Sequence, residues 1–286
     1  MNTRLLLFIL FLFGSFSANA QGHSREKSKE LSISAGTAYY IGEINPAKHF
    51  GTKEKLALGI AIRNNLNKRW SIRTGLSYGN IEAFDSDSKD IWQQNRNLNF
   101  KSSILEGTGQ FEFNFFPYQT ANPSTIFTPY MSVGLSVFRF NPKAYYNGGY
   151  VELQPLGTEG QGTLANPDKD LYKRTNLAFV FGGGFKWKIG RRWSVVLESI
   201  VRKTYTDYLD DVSGVYADPN AIRVEYGKTA YYLSDRSIVK NKAGNIGRQR
   251  GDNTNRDWYH FTGIQFTYTL SKHYIDQCRP FRIKLW

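Results

Sequence analysis

The sequence predicts an all-β fold: an eight-stranded antiparallel transmembrane outer-membrane β-barrel with short periplasmic turns and long outer loops. Three observations favour it: two-residue alternation in eight segments, connections that alternate in length, and an export signal at the start of the chain. Residues 105–116 alternate most clearly, because Phe111, Phe113 and Phe115 share one side while every even position from Glu106 to Asn114 is polar. A period of two predicts a strand with one apolar and one polar face.

The start of the chain predicts export. Arg4 precedes an apolar run from Leu5 to Phe13 and the small-residue motif at 18–20, a pattern typical of a secretory signal peptide, here residues 1–20. The run is shorter than the ~20 residues that a transmembrane helix needs. After cleavage we expect a periplasmic lead-in over 21–30, the barrel over 31–270 and a basic periplasmic tail over 271–286.

Alternation predicts eight strands, over residues 31–41, 56–63, 70–78, 105–116, 129–138, 177–188, 193–204 and 258–270. Connections after the first, third, fifth and seventh strands are long and the others are shorter, as in outer-membrane barrels. The even number of strands predicts that both termini are periplasmic. The sequence leaves open whether 206–256 holds an extra hairpin, for which 221–233 is the candidate.

The apolar strand faces are expected to meet lipid, and the polar faces to fill the lumen. This predicts a periplasmic aromatic belt of Trp70, Phe115, Phe116, Trp187, Trp193 and Tyr268, and an outer belt of Tyr39, Tyr40, Tyr78, Phe138, Tyr205, Trp258 and Tyr259. The predicted lumen charge network comprises Arg63, Arg73, Glu106, Glu112, Lys186, Glu198 and Arg202. Side chains fill the interior of an eight-stranded barrel, so we expect paired charges and no open pore.

A soluble periplasmic β-sandwich is the alternative fold, since it would bury the aromatic faces and expose the polar ones. The formal net charge of +13 would suit nucleic acid, but export argues against that partner. Anionic lipid headgroups of the outer membrane or an acidic protein fit the charge better.

Two glycine-containing motifs have ordinary interpretations. Residues 75–79 match G-x-S-x-G, but a nucleophile elbow needs a strand-to-helix turn, and Ser77 lies within an alternating strand. Residues 153–162, LQPLGTEGQG, lack the Gly-Lys-Ser/Thr of a phosphate loop, so we expect a compact outer loop with positive φ angles.

Three carboxylates, Asp207, Asp210 and Asp211, follow the seventh strand. They have the chemistry to bind Ca²⁺, but their spacing matches no calcium loop. Ion pairs with Arg202, Arg236 or Arg250 are the favoured expectation.

The four histidines, His23, His49, His260 and His273, lack metal-ligand spacing. We therefore predict no metal site, no cofactor and no catalytic residue. A lipid-modifying enzyme would need a serine and a histidine near the lipid face, and His260 is the one candidate, without a partner that the sequence identifies.

The single cysteine, Cys278, lies in the basic tail. It is either idle or bonded to another chain. With Arg279, Phe281 and Arg282 it forms the predicted partner-interaction segment, because alternation after residue 280 would allow a short strand to pair with a partner's sheet edge.

Several segments resemble the PorG-type outer-membrane barrel of the type IX secretion system of Bacteroidetes. They are YYIGEINP at 39–46, FRFNP at 138–142, LQPLGTEGQG at 153–162, RKTYTDYLDDVS at 202–213, QRG at 249–251 and Cys278. Glu43 is a departure, since the resemblance leads us to expect aspartate there.

The resemblance implies a non-enzymatic role: anchoring a periplasmic ring, made of a lipoprotein and its partner, to the outer membrane. That machine exports proteins with C-terminal sorting domains and, in gliding species, surface adhesins. Cys278 would be positioned for a disulfide with the ring lipoprotein. The alternatives are a structural or adhesive surface barrel of the OmpA or OmpX kind and, less favoured, a lipid-modifying enzyme.

Overall fold

The computed structural model describes residues 28–45, 54–118, 126–239 and 242–270. The expected signal peptide, most of the lead-in and the tail, including Cys278, Arg279, Phe281 and Arg282, lie outside these residues. So do His23, His49 and His273.

Nine antiparallel strands form the sheet: β1 (Ser28–Ile41), β2 (Lys55–Asn65), β3 (Trp70–Phe84), β4 (Asn99–Asn114), β5 (Phe127–Tyr146), β6 (Gly149–Glu152), β7 (Thr175–Lys188), β8 (Trp193–Thr204) and β9 (Trp258–Thr269). Each of the other eight strands pairs with two barrel neighbours, β5 pairs also with β6, and the β1–β9 and β4–β5 pairings close the sheet. The short β6 extends β5 as a hairpin beyond the barrel. The fold is thus the predicted eight-stranded closed barrel.

The outer wall of the barrel is apolar and exposed. Leu76 and Leu105 expose 58% and 56% of their surface, and similar exposure is found at Ile33, Leu56, Ile60, Met131, Leu135, Leu177, Leu197 and Phe266. The alternate positions point inward and are polar and buried, as Ser32, Gln110 and Thr267 are. Apolar residues outside and polar residues inside a closed sheet define a transmembrane barrel of the outer-membrane type, because a soluble barrel would have the reverse arrangement.

The two ends of the barrel differ. At one end, short turns join β2 to β3 and β7 to β8, and both barrel termini emerge there, with Leu270 N donating to Lys29 O at 2.8 Å. The β2–β3 turn is closed by Asn67, whose side-chain oxygen accepts from the backbone of Arg69 and Trp70 at 2.8 and 2.9 Å. The other end carries the long loops.

Several strands extend farther toward the long loops than the sequence predicts. β4 begins at Asn99 and β5 ends at Tyr146, where Asn147 and Gly148 adopt positive φ angles of 48° and 86° in the hairpin to β6. In these extensions the inward positions are apolar, as at Ile81 and Phe100, because they pack beneath the loops instead of lining a polar lumen.

Residues 221–233, the candidate hairpin, are helical instead. The segment forms helix α2 (Pro219–Ser234), which follows α1 (Ile91–Arg96) and precedes the single turn α3 (Lys242–Asn245). Asp218 caps α2 by accepting from Asn220 N at 2.8 Å, and Gly227 breaks its regular geometry with a φ of 84°. No helix among the described residues has the length and hydropathy to cross a membrane.

The outer aromatic belt is only partly as predicted. Tyr78 and Tyr205 are exposed, but Tyr40, Phe138 and Tyr259 are buried inside the mouth of the barrel. Together with residues of the strand extensions and of the loops they form the hydrophobic core: Ile81, Phe100, Ile104 and Phe140 from strands, and Leu98, Leu153, Leu209, Val212 and Leu233 from the loops and their helices. The loops cover the mouth of the barrel and exclude water from it. Inward positions there can therefore be aromatic.

Candidate functional site

Glu112 is the centre of the lumen charge network. Its carboxylate lies 2.8 Å from Arg63 Nε, 3.0 Å from Arg73 Nε and 2.7 Å from Lys186 Nζ. The carboxylate is fully buried, and Tyr130 lies beneath Lys186, with 4.3 Å from its ring centroid to Nζ. Three cations around one carboxylate fill the middle of the barrel.

Further ion pairs balance the excess of cations around Glu112. Arg73 reaches Glu198 at 2.6 Å, Arg202 reaches Glu106 at 2.7 Å, and Arg63 reaches Glu30 at 2.9 Å. The structure therefore places all seven predicted residues in ion pairs in the lumen, with Glu106 and Arg202 as a separate pair, and adds Glu30 to the group around Glu112. The free-energy cost of burying a charge is offset only when that charge is paired and hydrogen-bonded, and each of these charges is.

Glu30 is absent from the predicted network because the sequence places it in the polar lead-in. β1 begins at Ser28, and Glu30 lies inward on the same face as Ser32. Glu30 lies two positions before Ser32, an inward residue of β1. Extending the alternation back from Ser32 would therefore have placed Glu30 in the lumen.

At the opposite end from the turns, the long loops are fastened to one another. Arg96 of α1 forms a two-pronged pair with Asp85, with both N–O distances at 2.7 Å, and also donates to the carbonyl of Arg250 at 2.6 Å. It further donates to the carbonyl of Glu43 at 3.1 Å. One buried arginine therefore joins the loops after β1, β3 and β8, and we call this assembly the loop cap.

Arg250 joins the remaining long loop to the cap. It lies 3.0 Å from Glu159 and 3.5 Å from Asp211, and it donates to the carbonyl of Asp211 at 2.6 Å. Burial alone would raise the pKa of Glu159, but Arg250 and Lys169 outweigh burial and hold it below its usual value. Glu159 also accepts from the backbone of Ser213 at 2.9 Å.

A second group of carboxylates in the loop cap has no cation paired with it among the residues that the structure describes. Glu43, Asp207 and Asp257 place their carboxylate oxygens within 4.8 Å of one another. Tyr40 links this group to Asp210, because its hydroxyl lies 2.7 Å from both Asp210 Oδ2 and Asp257 Oδ1. We call these four acidic residues the carboxylate cluster; three separate loop segments contribute them.

The carboxylate cluster is short of hydrogen-bond donors. The Tyr40 hydroxyl has one proton, so it can donate to only one of its two close carboxylates at a time. Backbone amides of Leu209 and Val212 satisfy one oxygen each of Asp257 and Asp210, at 2.8 and 2.9 Å. Among the described residues, no salt bridge joins a cation to these four carboxylates, although Arg96 lies near enough to act on Asp210.

The pKa values of the cluster reflect this shortage. Burial, with repulsion from Glu43, raises the pKa of Asp207 to about 8. Ser213 lowers that pKa but does not outweigh burial. Both oxygens of Asp207 are enclosed and, among the described residues, make no hydrogen bond of ordinary geometry. Burial and the neighbouring carboxylates also raise the pKa of Asp210 and Asp257 well above the usual range. Asp207 therefore holds a proton to a higher pH than an ordinary aspartate does, and the pKa values of Asp210 and Asp257 are shifted in the same direction.

The chain backbone is shaped around the cluster at Gly42. A Cβ atom at this position would lie 2.0 Å from the Tyr40 hydroxyl and 2.3 Å from Asp257 Oδ1, so only glycine fits. Chemically, oxygen donors this close can share protons or hold a divalent cation, for which carboxylates are the usual ligands. Glu43, Asp207 and Asp257 are the residues that could hold such a cation.

The expectation for the three loop aspartates is met by one of them. Asp211 pairs with Arg250, but Asp207 and Asp210 belong to the cluster. Arg202 lies below them and pairs with Glu106 in the lumen. Arg236 instead donates to the carbonyl of Asn99 at 2.8 Å. Glu43 and Asp257 come from distant parts of the chain, so spacing along the sequence could not reveal the group.

His260 has a serine neighbour that the sequence did not identify. Ser199 Oγ lies 2.9 Å from His260 Nε2, and the two residues come from adjacent strands. His260 Nδ1 faces the hydroxyl of Thr262 at 3.3 Å, where a catalytic triad would have a carboxylate. His260 is 4% exposed and packs edge-on against Tyr39, whereas Ser199 is partly buried.

The two glycine motifs adopt ordinary structures. Ser77 lies within β3 and donates to Glu106 at 2.8 Å, as an inward strand residue. The loop at 153–162 is compact, and Gly157, Gly160 and Gly162 have positive φ angles of 49°, 76° and 71°. This loop presents Glu159 to Arg250, which explains its shape.

Comparison with known proteins supplies a family and structural similarities. A family model described as "Domain of unknown function (DUF6089)" matches residues 3–278. No curated protein matches the chain.

Among solved structures, the chain is similar to Neisserial surface protein A, at 8% identity with 84% and 96% of the two chains covered and a TM-score of 0.39. It is similar to Ail of Yersinia pestis in complex with the heparin analogue sucrose octasulfate, at 8% identity, 85% and 99% coverage and a TM-score of 0.38. It is also similar to OprG of Pseudomonas aeruginosa, at 12% identity, 85% and 97% coverage and a TM-score of 0.39.

Proposed function

Since this chain belongs to the family described as a domain of unknown function (DUF6089), we propose its role from its own architecture. The proposed role is a non-enzymatic outer-membrane component of the type IX protein secretion system. In this role the barrel anchors a periplasmic ring, built from a lipoprotein and its partner, to the outer membrane. Short turns and both termini would face the periplasm.

The position of the termini is the observation that carries this proposal. β1 and β9 pair along their length, so Lys29 and Leu270, at the two ends of the described barrel, lie side by side at the short-turn end. The tail is basic and contains Cys278, the single cysteine of the chain. Two adjacent chain ends on one rim support attachment of a periplasmic partner there, and the paired lumen charges argue against conduction through the barrel.

Deletion of the gene tests the role directly. We expect cargo with C-terminal sorting domains to accumulate inside the cell, and a plasmid copy of the full chain to restore export. A deletion strain that exports this cargo normally would refute the secretion role while leaving the barrel fold untouched.

The attachment through Cys278 has a separate test. Non-reducing gels of outer membranes should show a band at the summed mass of the chain and the ring lipoprotein. Cys278→Ser should remove that band, and Ser271→Ala, in the same tail, should keep it. A band that survives Cys278→Ser would show that the disulfide is not the link.

A structural or adhesive surface barrel of the OmpA or OmpX kind is the second candidate function. The observation that favours it is the loop cap, whose helices expose apolar side chains: Ile91 is 81% exposed and Val224 is 79% exposed. Exposed apolar residues on an ordered surface are typical of contact sites. Under this function, trimming α2 abolishes adhesion, whereas under the anchoring role trimming residues 271–286 abolishes export.

A further inference from the structure

A groove of about 430 Å³ opens on the wall of the barrel where the strands meet the loop cap. Phe179 of β7 and Lys203 and Thr204 of β8 line it, together with Tyr205 and Arg256 of the following loop. Phe179 and Tyr205 are 40% and 54% exposed, and both cations are exposed. The groove thus combines two positive charges with an apolar floor.

The groove faces outward, toward the membrane. Lys203 and the exposed Leu197 are six positions apart on β8, so both side chains lie on the outer face. The neighbouring Arg202 points into the lumen. Phe179 pairs with Lys203 across the sheet and lies on the same outer face as the exposed Leu177. The groove therefore begins where the lipid-facing apolar wall ends, at the depth of lipid headgroups.

Both cations are held in place but not neutralised. Arg256 Nη1 donates to the carbonyl of Tyr205 at 2.6 Å, and its guanidinium lies 5.9 Å from the Tyr205 ring centroid. Lys203 Nζ lies 5.1 Å from the ring centroid of Trp258. Within residues 28–45, 54–118, 126–239 and 242–270, no carboxylate pairs with either cation. The site therefore has a fixed positive charge that is complementary to an anion.

We propose that this groove binds the phosphorylated headgroup of an outer-leaflet glycolipid. The phosphate lies between Lys203 and Arg256, and the start of an acyl chain lies on Phe179. A phosphate monoester supplies up to two negative charges and three acceptor oxygens, which suits two cations. Rings beside basic residues are characteristic of protein surfaces at lipid headgroups, and a volume of this size accommodates a sugar phosphate. The site requires the long loops to lie outside the cell, but it is independent of a role in secretion.

The test uses the purified full chain in phosphatidylcholine nanodiscs, with native mass spectrometry to count bound lipids. The probe is bisphosphorylated lipid A, compared with the same lipid A without phosphates and with phosphatidylglycerol. We expect saturable binding of the bisphosphorylated form. In Lys203→Gln/Arg256→Gln, binding should weaken ~30-fold, since each basic residue near a headgroup contributes about fivefold.

The matched control is Arg223→Gln/Lys228→Gln, which removes the same charge from exposed positions of α2 and should bind like the wild type. The reversed variant Lys203→Glu/Arg256→Glu should bind phosphate-free lipid A at least as well as the phosphorylated form. Heat-modified migration on gels confirms that each barrel is folded.

Three results would overturn the proposal. One is equal affinity of the wild type and Lys203→Gln/Arg256→Gln for bisphosphorylated lipid A. Another is binding of phosphate-free lipid A or phosphatidylglycerol as tightly as the phosphorylated glycolipid. The third is displacement of the lipid by millimolar inorganic phosphate, which would assign the groove to free phosphate.

Discussion

The lumen and the loop cap both bury carboxylates, but those in the lumen are paired with cations and those of the carboxylate cluster are grouped with one another. Glu112 in the lumen lies within 3.0 Å of three cations. Asp207 in the loop cap is enclosed among carboxylates and has no hydrogen bond of ordinary geometry. The difference teaches that burial alone does not define the state of an acid: paired charges are structural, whereas unpaired ones must take up protons or a cation.

The largest effect is expected from breaking the lumen network at its centre. Glu112→Gln removes the carboxylate that pairs with Arg63, Arg73 and Lys186. Because buried positive charge is then uncompensated, the free energy of unfolding should fall by about 5 kcal/mol. Urea unfolding of the barrel in micelles measures this. Glu225→Gln on the exposed face of α2 is the control and should cost less than ~0.5 kcal/mol.

A loss below ~1 kcal/mol for Glu112→Gln would contradict the network. It would mean that water reaches these charges and that the lumen is open.

A smaller and local effect is expected in the loop cap. Arg250→Gln removes the cation that pairs with Glu159 and Asp211, at a cost of about 3 kcal/mol confined to the loops. Limited trypsin digestion should then cut within 205–257 while the strands stay intact. Arg248→Gln, at a neighbouring exposed position, should be cut no faster than the wild type.

If Arg250→Gln were as resistant to trypsin as the wild type, the buried arginine would not be what fastens the loops. If the strands were cut as well, the loop cap and the barrel would be one cooperative unit.

The carboxylate cluster predicts a dependence on pH with a definite sign. Burial raises the pKa of Asp207 from 3.8 to about 8. The folded loops therefore bind this proton more tightly than the unfolded chain does, so stability is full at acid pH and falls as the pH rises from 3.8 to about 8. After allowance for solvent screening, the loss is about 1–2 kcal/mol.

Hydrogen exchange of the Leu209 and Val212 amides between pH 5 and pH 9 measures this loss once the intrinsic rate is subtracted. Asp207→Asn should flatten the profile, and Asp168→Asn, at an exposed loop position, should leave it unchanged. A profile that shows greater protection at high pH would contradict the sign.

The smallest effect is expected for Ser77→Ala. It removes one of the hydrogen bonds to Glu106, whose pairing with Arg202 remains, so the free energy of unfolding should fall by about 1 kcal/mol. Urea unfolding measures the change. A loss of several kcal/mol would show that Glu106 depends on Ser77 more than on its arginine.

Much of the lumen could be predicted from the sequence, because a strand places every second side chain on the same face. That rule located Arg63, Glu112 and Arg202 without knowledge of which pairs they form. Glu30 is absent from the predicted network because the sequence places it in the lead-in, although it continues the alternation of β1.

The loop cap could not be predicted in the same way. Residues 221–233 form a helix without a marked apolar face, so periodicity gave no clear signal for it. Tyr40 and Asp257 are 217 positions apart, and only the closure of the barrel between β1 and β9 brings them together. Outer-belt rings such as Phe138 lie on the inward face of their strands, in phase with Ser132 and Ser136, so alternation places them correctly and their assignment to a lipid-facing belt is wrong.

The central claim is that the aromatic faces of the strands meet lipid while the charges are enclosed. A spin label at Phe111 tests it most directly, with a label at the exposed loop residue Ile91 as the aqueous control. The account predicts that Phe111 is accessible to oxygen and shielded from a water-soluble nickel chelate, and that Ile91 shows the reverse. A label at Phe111 that collides freely with the nickel chelate would contradict the membrane placement.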